Sequence, residues 1–146
     1  MKHLKIYEEN LDEPQIGDYV FCKDFSKTNP GRDDYKMFKN FLLENAGKIV
    51  ATESTHEFFV IFDNVSELNY DLLKYAFYTP DRPMLRDIKN MPQVKVVEST
   101  DENGKKKLYT NVTSFTREEI IFHNNNKEII ENYIDSIDIA SKYNII

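Results

Sequence analysis

Gly47-Lys48-Ile49-Val50-Ala51-Thr52, a short break at Ser54 to His56, then Glu57-Phe58-Phe59-Val60-Ile61-Phe62-Asp63-Asn64: this stretch decides the fold. Both halves are short, rich in β-branched and aromatic residues, and bounded by Gly, Asp or Asn, as strands of a tightly turned sheet are. The break between them is too short for a crossover, so the two segments, about 47–53 and 57–63, read as a hairpin. Alternation puts Ile49 with Ala51 and Val50 with Thr52. It puts Phe59 with Ile61, and Phe58 with Val60 and Phe62.

Upstream, Gly17-Asp18-Tyr19-Val20-Phe21-Cys22-Lys23 reads as a strand over about 16–23. Val20 and Cys22 share one face; Tyr19 and Phe21 share the other. Apolar groups on both faces imply a sheet covered on both sides. Before it, Leu4 and Ile6 suggest a short edge strand, and Glu8 to Gln15 a loop. Asn29-Pro30-Gly31 signals a turn. A helix then spans about 33–45, capped by Asp33 or Asp34, with Tyr35, Phe38, Phe41 and Leu42 on one face. Gly47 is expected to close it in a left-handed conformation.

Downstream, Ser66 is expected to cap a helix over about 66–76. Residues 79–93 carry Pro80, Pro83 and Pro92 and read as an irregular surface excursion. A second hairpin is expected at 94–99 and 106–113, turning through Asp101-Glu102-Asn103-Gly104. A strand over 118–122 follows. Asn125 or Asn126 then caps a C-terminal helix with an apolar stripe of Ile129, Ile130, Tyr133, Ile134 and Ile137. Ile139 to Ile146 are apolar enough to dock.

The order Gly-Asp-x-Val, then Gly-Lys-Ile-Val, then a strand ending Phe-Asp-Asn resembles small SH3-like barrels of the Tudor-like and KOW-like kind. In such barrels the first strand follows a Gly-Asp turn and a second Gly opens the next. Phe115 to Phe122, followed by Asn126-Lys127-Glu128, resembles the closing strand and trailing helix of uncharacterised proteins of phages and large viruses. The resemblance covers about half the chain. It implies a single α+β domain over residues 1–146: an antiparallel, partly closed SH3-like barrel with inserted helices and a C-terminal helix. It leaves function open, because such barrels bind peptides, nucleic acids and methyl-lysine alike.

The chain of 146 residues is long enough for one core. Its net charge of −6 opposes non-specific binding to nucleic acid or anionic lipid and permits a protein partner that is basic. The single Cys22, with no secretion signal to be read, leads to the expectation of a reducing, cytoplasmic setting in a host cell, or a virion. No stretch is apolar for long enough to span a membrane. Heavy use of Ile, Lys, Asn, Asp, Glu, Tyr and Phe fits an AT-rich genome, such as that of a low-GC bacterium, its phage or a large virus.

No residue pattern demands catalysis. Cys22 with His56 or His123 would make a nucleophile and base, but a mid-strand Cys behaves as a small hydrophobe. His3, His56 and His123 lack metal-ligand spacing. The acids at Asp12-Glu13, Asp33-Asp34, Glu118-Glu119, Asp135 and Asp138 suit caps and polar faces. A metal-dependent hydrolase built from scattered carboxylates is therefore the third alternative, and no cofactor is implied. Lys105, Lys106 and Lys107 form a basic hairpin tip, the basis of a second alternative, a nucleic-acid-binding barrel. The first expectation is a non-enzymatic interaction protein, an accessory or minor virion component. It would meet its partner through Tyr19, Phe21, Phe58 and Tyr78, as a groove or a methyl-cation cage. The competing reading of those rings is a ring-rich core.

Overall fold

The computed structural model describes residues 13–25, 33–53 and 56–142. The edge strand expected near Leu4 and Ile6, the Asn29-Pro30-Gly31 turn and the side chains of Ile139 to Ile146 lie outside what is described. Within it, β1 (Tyr19–Cys22), β2 (Gly47–Glu53), β3 (Glu57–Ile61), β6 (Val112–Thr116) and β7 (Ile120–Asn124) form a five-stranded sheet in the order β6-β3-β2-β1-β7. β4 (Val96–Thr100) and β5 (Lys106–Thr110) pair separately. All pairings are antiparallel. The helices are α1 (Asp33–Glu44), α2 (Tyr70–Ala76) and α3 (Lys127–Lys142). The fold is α+β.

The sheet is curled. Consecutive strands β6 and β7 lie on its opposite edges, joined by a 3-10 turn at Arg117–Glu119. In a flat sheet those edges would be roughly 19 Å apart. The chain from Thr116 to Ile120 reaches about 14 Å at most. No ladder joins β6 to β7, so the curl stops short of a closed barrel.

The concave face holds the main core. Val20, Cys22, Ile49, Phe58, Val60, Phe62, Phe115 and Ile120 pack against Phe38, Phe41 and Leu42 of α1 and Leu72 and Leu73 of α2. Its centre is a nest of rings: Phe62 meets Phe41, Phe77 and Phe115 with centroids 5.2, 6.3 and 6.4 Å away. The convex face has two separate covers. α3 lays Ile130 and Ile134 on Phe21 and Phe122, as its apolar stripe implies. The proline-containing excursion lays Leu85 and Ile88 on Val50, Phe59, Ile61 and Val112. Both faces of β1 are thus covered, as its two-sided apolar pattern implies.

Several expectations change. Gly47 opens β2, and the positive-φ glycines among the described residues are Gly17 and Gly104. What Gly47 supplies is room: a Cβ there would stand 2.3 Å from Val60 Cγ1 and 2.9 Å from the Phe62 ring. A bulge between Ile49 and Ala51 turns Ala51 to the convex side beside Val50, breaking simple alternation. The expected 66–76 helix is a 3-10 turn at Val65–Glu67 and then α2, capped by Asn69, whose Oδ1 accepts from the Leu72 N–H at 2.9 Å. The expected 106–113 strand breaks at Asn111, where the chain passes from one sheet to the other. The last strand begins at Ile120, because a reciprocal cap between Thr116 and Glu119 holds the preceding residues in the 3-10 turn. Asn126 caps α3: its Oδ1 accepts from the Glu128 N–H at 3.0 Å.

Candidate functional site

A groove of about 280 Å³ lies between the two convex covers. Its lining includes Tyr19, Lys48 and Ile61, which stand in one row across β1, β2 and β3 because the register pairs Tyr19 with Lys48 and Lys48 with Ile61. Ala46 and Gly47 add little bulk. One wall is Asp63 with Lys127 at the start of α3, their charged atoms 3.6 Å apart. The opposite wall is Gln93 and Lys95, where the excursion ends.

Asn111 fastens that second wall. It is 3% exposed. Its Nδ2 donates to the Gln93 carbonyl at 3.0 Å and to the Phe62 carbonyl at 3.4 Å. Its Oδ1 accepts from the Lys95 N–H at 2.9 Å, and its own N–H donates to the Lys95 carbonyl at 3.1 Å. One buried side chain therefore sets the position of two lining residues against the sheet.

Three lysines against one aspartate make the groove cationic in a chain of net charge −6. The Lys48 ammonium lies 5.4 Å from the centroid of the Tyr19 ring. Lys127 shares its charge with Asp63.

The expected ring surface separates. Tyr19 is half-buried in the groove. Phe21 has no exposed surface: it lies under α3, 5.6 Å from the Tyr133 ring. Phe58 is 3% exposed, in the concave core. Tyr78 is half-buried on Phe59, its hydroxyl hydrogen-bonded to Ser114. Burial holds the Tyr78 phenol above its ordinary pKa. Phe21 and Phe58 are thus on opposite faces of the sheet and offer no ring to a partner; of the four, Tyr19 alone lines the groove. Gln93 and Lys95 stand in no motif, and the motifs that contain Lys48 and Lys127 give those side chains no role.

Lys105, Lys106 and Lys107 are exposed on the β4–β5 hairpin, and Lys106 is 3.2 Å from Glu98 across it. Cys22 is buried, and desolvation followed by the nearby Glu119 charge pushes its thiol well above the usual 9.0. His123 is 7% exposed and donates from Nδ1 to the Asp18 carboxylate at 3.1 Å. His56 is exposed at the β2–β3 turn. Asp33 and Asp34 open α1 beside Asp71. Glu119 serves its cap and accepts from the Phe25 N–H at 2.8 Å. Among the described residues no three His, Cys, Asp or Glu side chains gather as a metal ion would require. Nor is any helix among them long and apolar enough to cross a membrane.

The Cys22 environment has a consequence for stability. The folded thiol has the higher pKa, so the fold favours the protonated form. That contribution is fully present below the unfolded value near 9 and is lost as pH rises above it. Stability is expected to fall by up to about 1.4 kcal/mol per pH unit between pH 9 and 10, and Cys22→Ala to flatten that slope. Urea midpoints of both proteins at pH 8, 9 and 10 check it; parallel profiles would contradict it.

A second cavity of about 250 Å³ is lined by residues that include Cys22, Phe25, Tyr35 and Lys39. Its lining also holds Lys23, Asp24, Leu42 and Leu43 beside the deeply buried thiol. No protein-family model, no curated protein and no solved structure matches this chain.

Proposed function

We propose that the chain is a non-enzymatic interaction module that holds a segment of a protein partner in the groove between α3 and the excursion. The observation that carries this reading is the groove itself: a gap left in an otherwise covered sheet face, with one wall locked by a buried asparagine. Buried polar networks of this kind hold a surface in one shape, which lowers the ordering cost of binding. A half-buried tyrosine beside lysine stems offers apolar contact and charge together.

The non-enzymatic part rests on how the candidate groups are used. The Cys22 thiol is buried and pushed toward its neutral form, and the His123 ring is paired with Asp18. The Gly17-Asp18 turn before β1, and Gly47 at the start of β2, keep the SH3-like resemblance as our reading of the curled sheet. The residue usage fits an AT-rich genome, and on that association we read the chain as an accessory or minor virion protein of a phage or another low-GC genome, working in the host cytoplasm or in the particle. The net charge suggests a basic partner, but the local charge in the groove is of the opposite sign, and it is the local field that a docked segment meets.

The test is capture by the tagged chain from its native host, with and without nuclease. The reading expects a stoichiometric, nuclease-resistant protein that is lost with Gln93→Trp, which fills the groove without changing its charge. Glu102→Trp, on the far hairpin turn, should retain it. Loss of every partner on nuclease treatment would move the reading to nucleic acid and Lys105 to Lys107.

A further inference from the structure

We infer that the segment held in the groove is acidic: a stretch of a partner protein with carboxylate side chains spaced along an extended backbone. The inference rests on the groove being the partner site, and it adds the chemistry that the site selects.

The charges come from three different elements. Lys48 rises from the sheet, Lys95 hangs from the end of the excursion and Lys127 opens α3. Asp63 answers Lys127 at 3.6 Å. Among the described residues no carboxylate lies in ion-pair range of Lys48 or Lys95. Two ammonium groups on different elements, with the Tyr19 ring and Ile61 between the covers, fit anionic side chains alternating with apolar ones. The volume of about 280 Å³ is at the small end of ligand clefts. A few side chains fill it; a large cofactor does not.

A single compact dianion such as phosphate is a poorer match. Phosphate sites converge backbone N–H groups on one centre. Here two nearby N–H groups are already spent: that of Ile49 donates to the Asp18 carbonyl at 2.9 Å, and that of Lys95 to Asn111 Oδ1 at 2.9 Å. The cations that remain are lysines on flexible stems, which suit separated carboxylates on a segment that can adjust to them. The chain as a whole carries net negative charge, so an acidic partner is repelled by most of the surface outside the groove and the Lys105 to Lys107 hairpin. Such opposition costs association rate and gives register.

The test titrates the uniformly ¹⁵N-labelled full chain with octaglutamate, octalysine or inorganic phosphate and follows amide shifts. Octaglutamate is expected to move resonances of Tyr19, Lys48, Asp63, Lys95 and Lys127 saturably. Its affinity should fall about tenfold or more in K48E/K95E, by a smaller factor in K48Q/K95Q, and with added salt. The dispersion of each variant's spectrum shows that it is folded. No octaglutamate binding, or binding that both lysine pairs leave unchanged, would overturn the inference. So would octalysine settling in the groove, or phosphate alone producing the shifts. If Gln93→Trp abolishes partner capture while octaglutamate does not bind, the acidic inference fails and the partner site stands. If octaglutamate binds and no nuclease-resistant partner is recovered, the reverse holds.

Discussion

Phe62→Ala is expected to destabilise the protein by about 3–5 kcal/mol, the largest effect of any single truncation considered. Phe62 is 1% exposed and follows β3 directly. Its ring meets those of Phe41, Phe77 and Phe115, drawn from α1, the end of α2 and β6. Truncation removes the buried ring and three edge contacts at once. The surrounding groups belong to different elements already fixed by their own hydrogen bonds, so the void cannot close cheaply. The loss is a large part of the ~5–15 kcal/mol typical of a domain. Urea unfolding followed by far-UV circular dichroism measures it, with Leu108→Ala as control. Leu108 is 51% exposed, and its truncation should change stability by less than about 0.5 kcal/mol. A loss at Phe62 no greater than at Leu108 would mean that the ring cluster is not the centre of the core.

Asn111→Ala is expected to cost about 3 kcal/mol and to disable the groove as well. The side chain makes three hydrogen bonds from a buried site. Its removal leaves the Lys95 N–H and the Gln93 and Phe62 carbonyls to find other partners, and an unpaired buried polar group costs about 1–3 kcal/mol. The effect is directional. Gln93 loses its side-chain tie and Lys95 keeps only the backbone bond from the residue 111 N–H to its carbonyl, whereas α3 and the concave core keep theirs. Amide exchange should therefore rise at residues 93–95 more than in β1, β2 or α3, and partner capture should weaken even where the variant remains folded. Uniformly faster exchange would instead assign Asn111 a general role in stability and none in shaping the groove.

What was legible in the sequence was whatever depends on local pattern. Phe58, Val60 and Phe62 against Phe59 and Ile61 announce a strand buried on both faces. Phe38, Phe41 and Leu42 announce a helix face, and Ile130 and Ile134 another. Asn103-Gly104 announces a turn. The bulge at Val50 and the break at Asn111 were not legible, because neither carries a Gly or Pro and both are imposed by pairing with distant strands. Phe21 and Phe58 stand as candidate contact rings in the sequence because a two-sided apolar strand does not say which covers will reach it. The groove was hidden for a stronger reason. It exists only where the registers of β1, β2 and β3 align Tyr19, Lys48 and Ile61, where α3 begins beside Asp63, and where Asn111 ties residues 93 and 95 back to the sheet. Lys48, Lys95 and Lys127 are far apart in sequence, and no one motif joins them. The charge of −6 also points away from a basic site, because a net charge averages over the local field.

The most direct measurement is site-specific photo-crosslinking in the native host, with a benzophenone side chain placed at position 93 in the groove or at position 102 on the distant hairpin turn. The account predicts one dominant protein adduct from position 93, insensitive to nuclease and competed by untagged chain, and none of that species from position 102. Adducts that are the same from both positions, or that vanish with nuclease, would contradict a partner site in the groove.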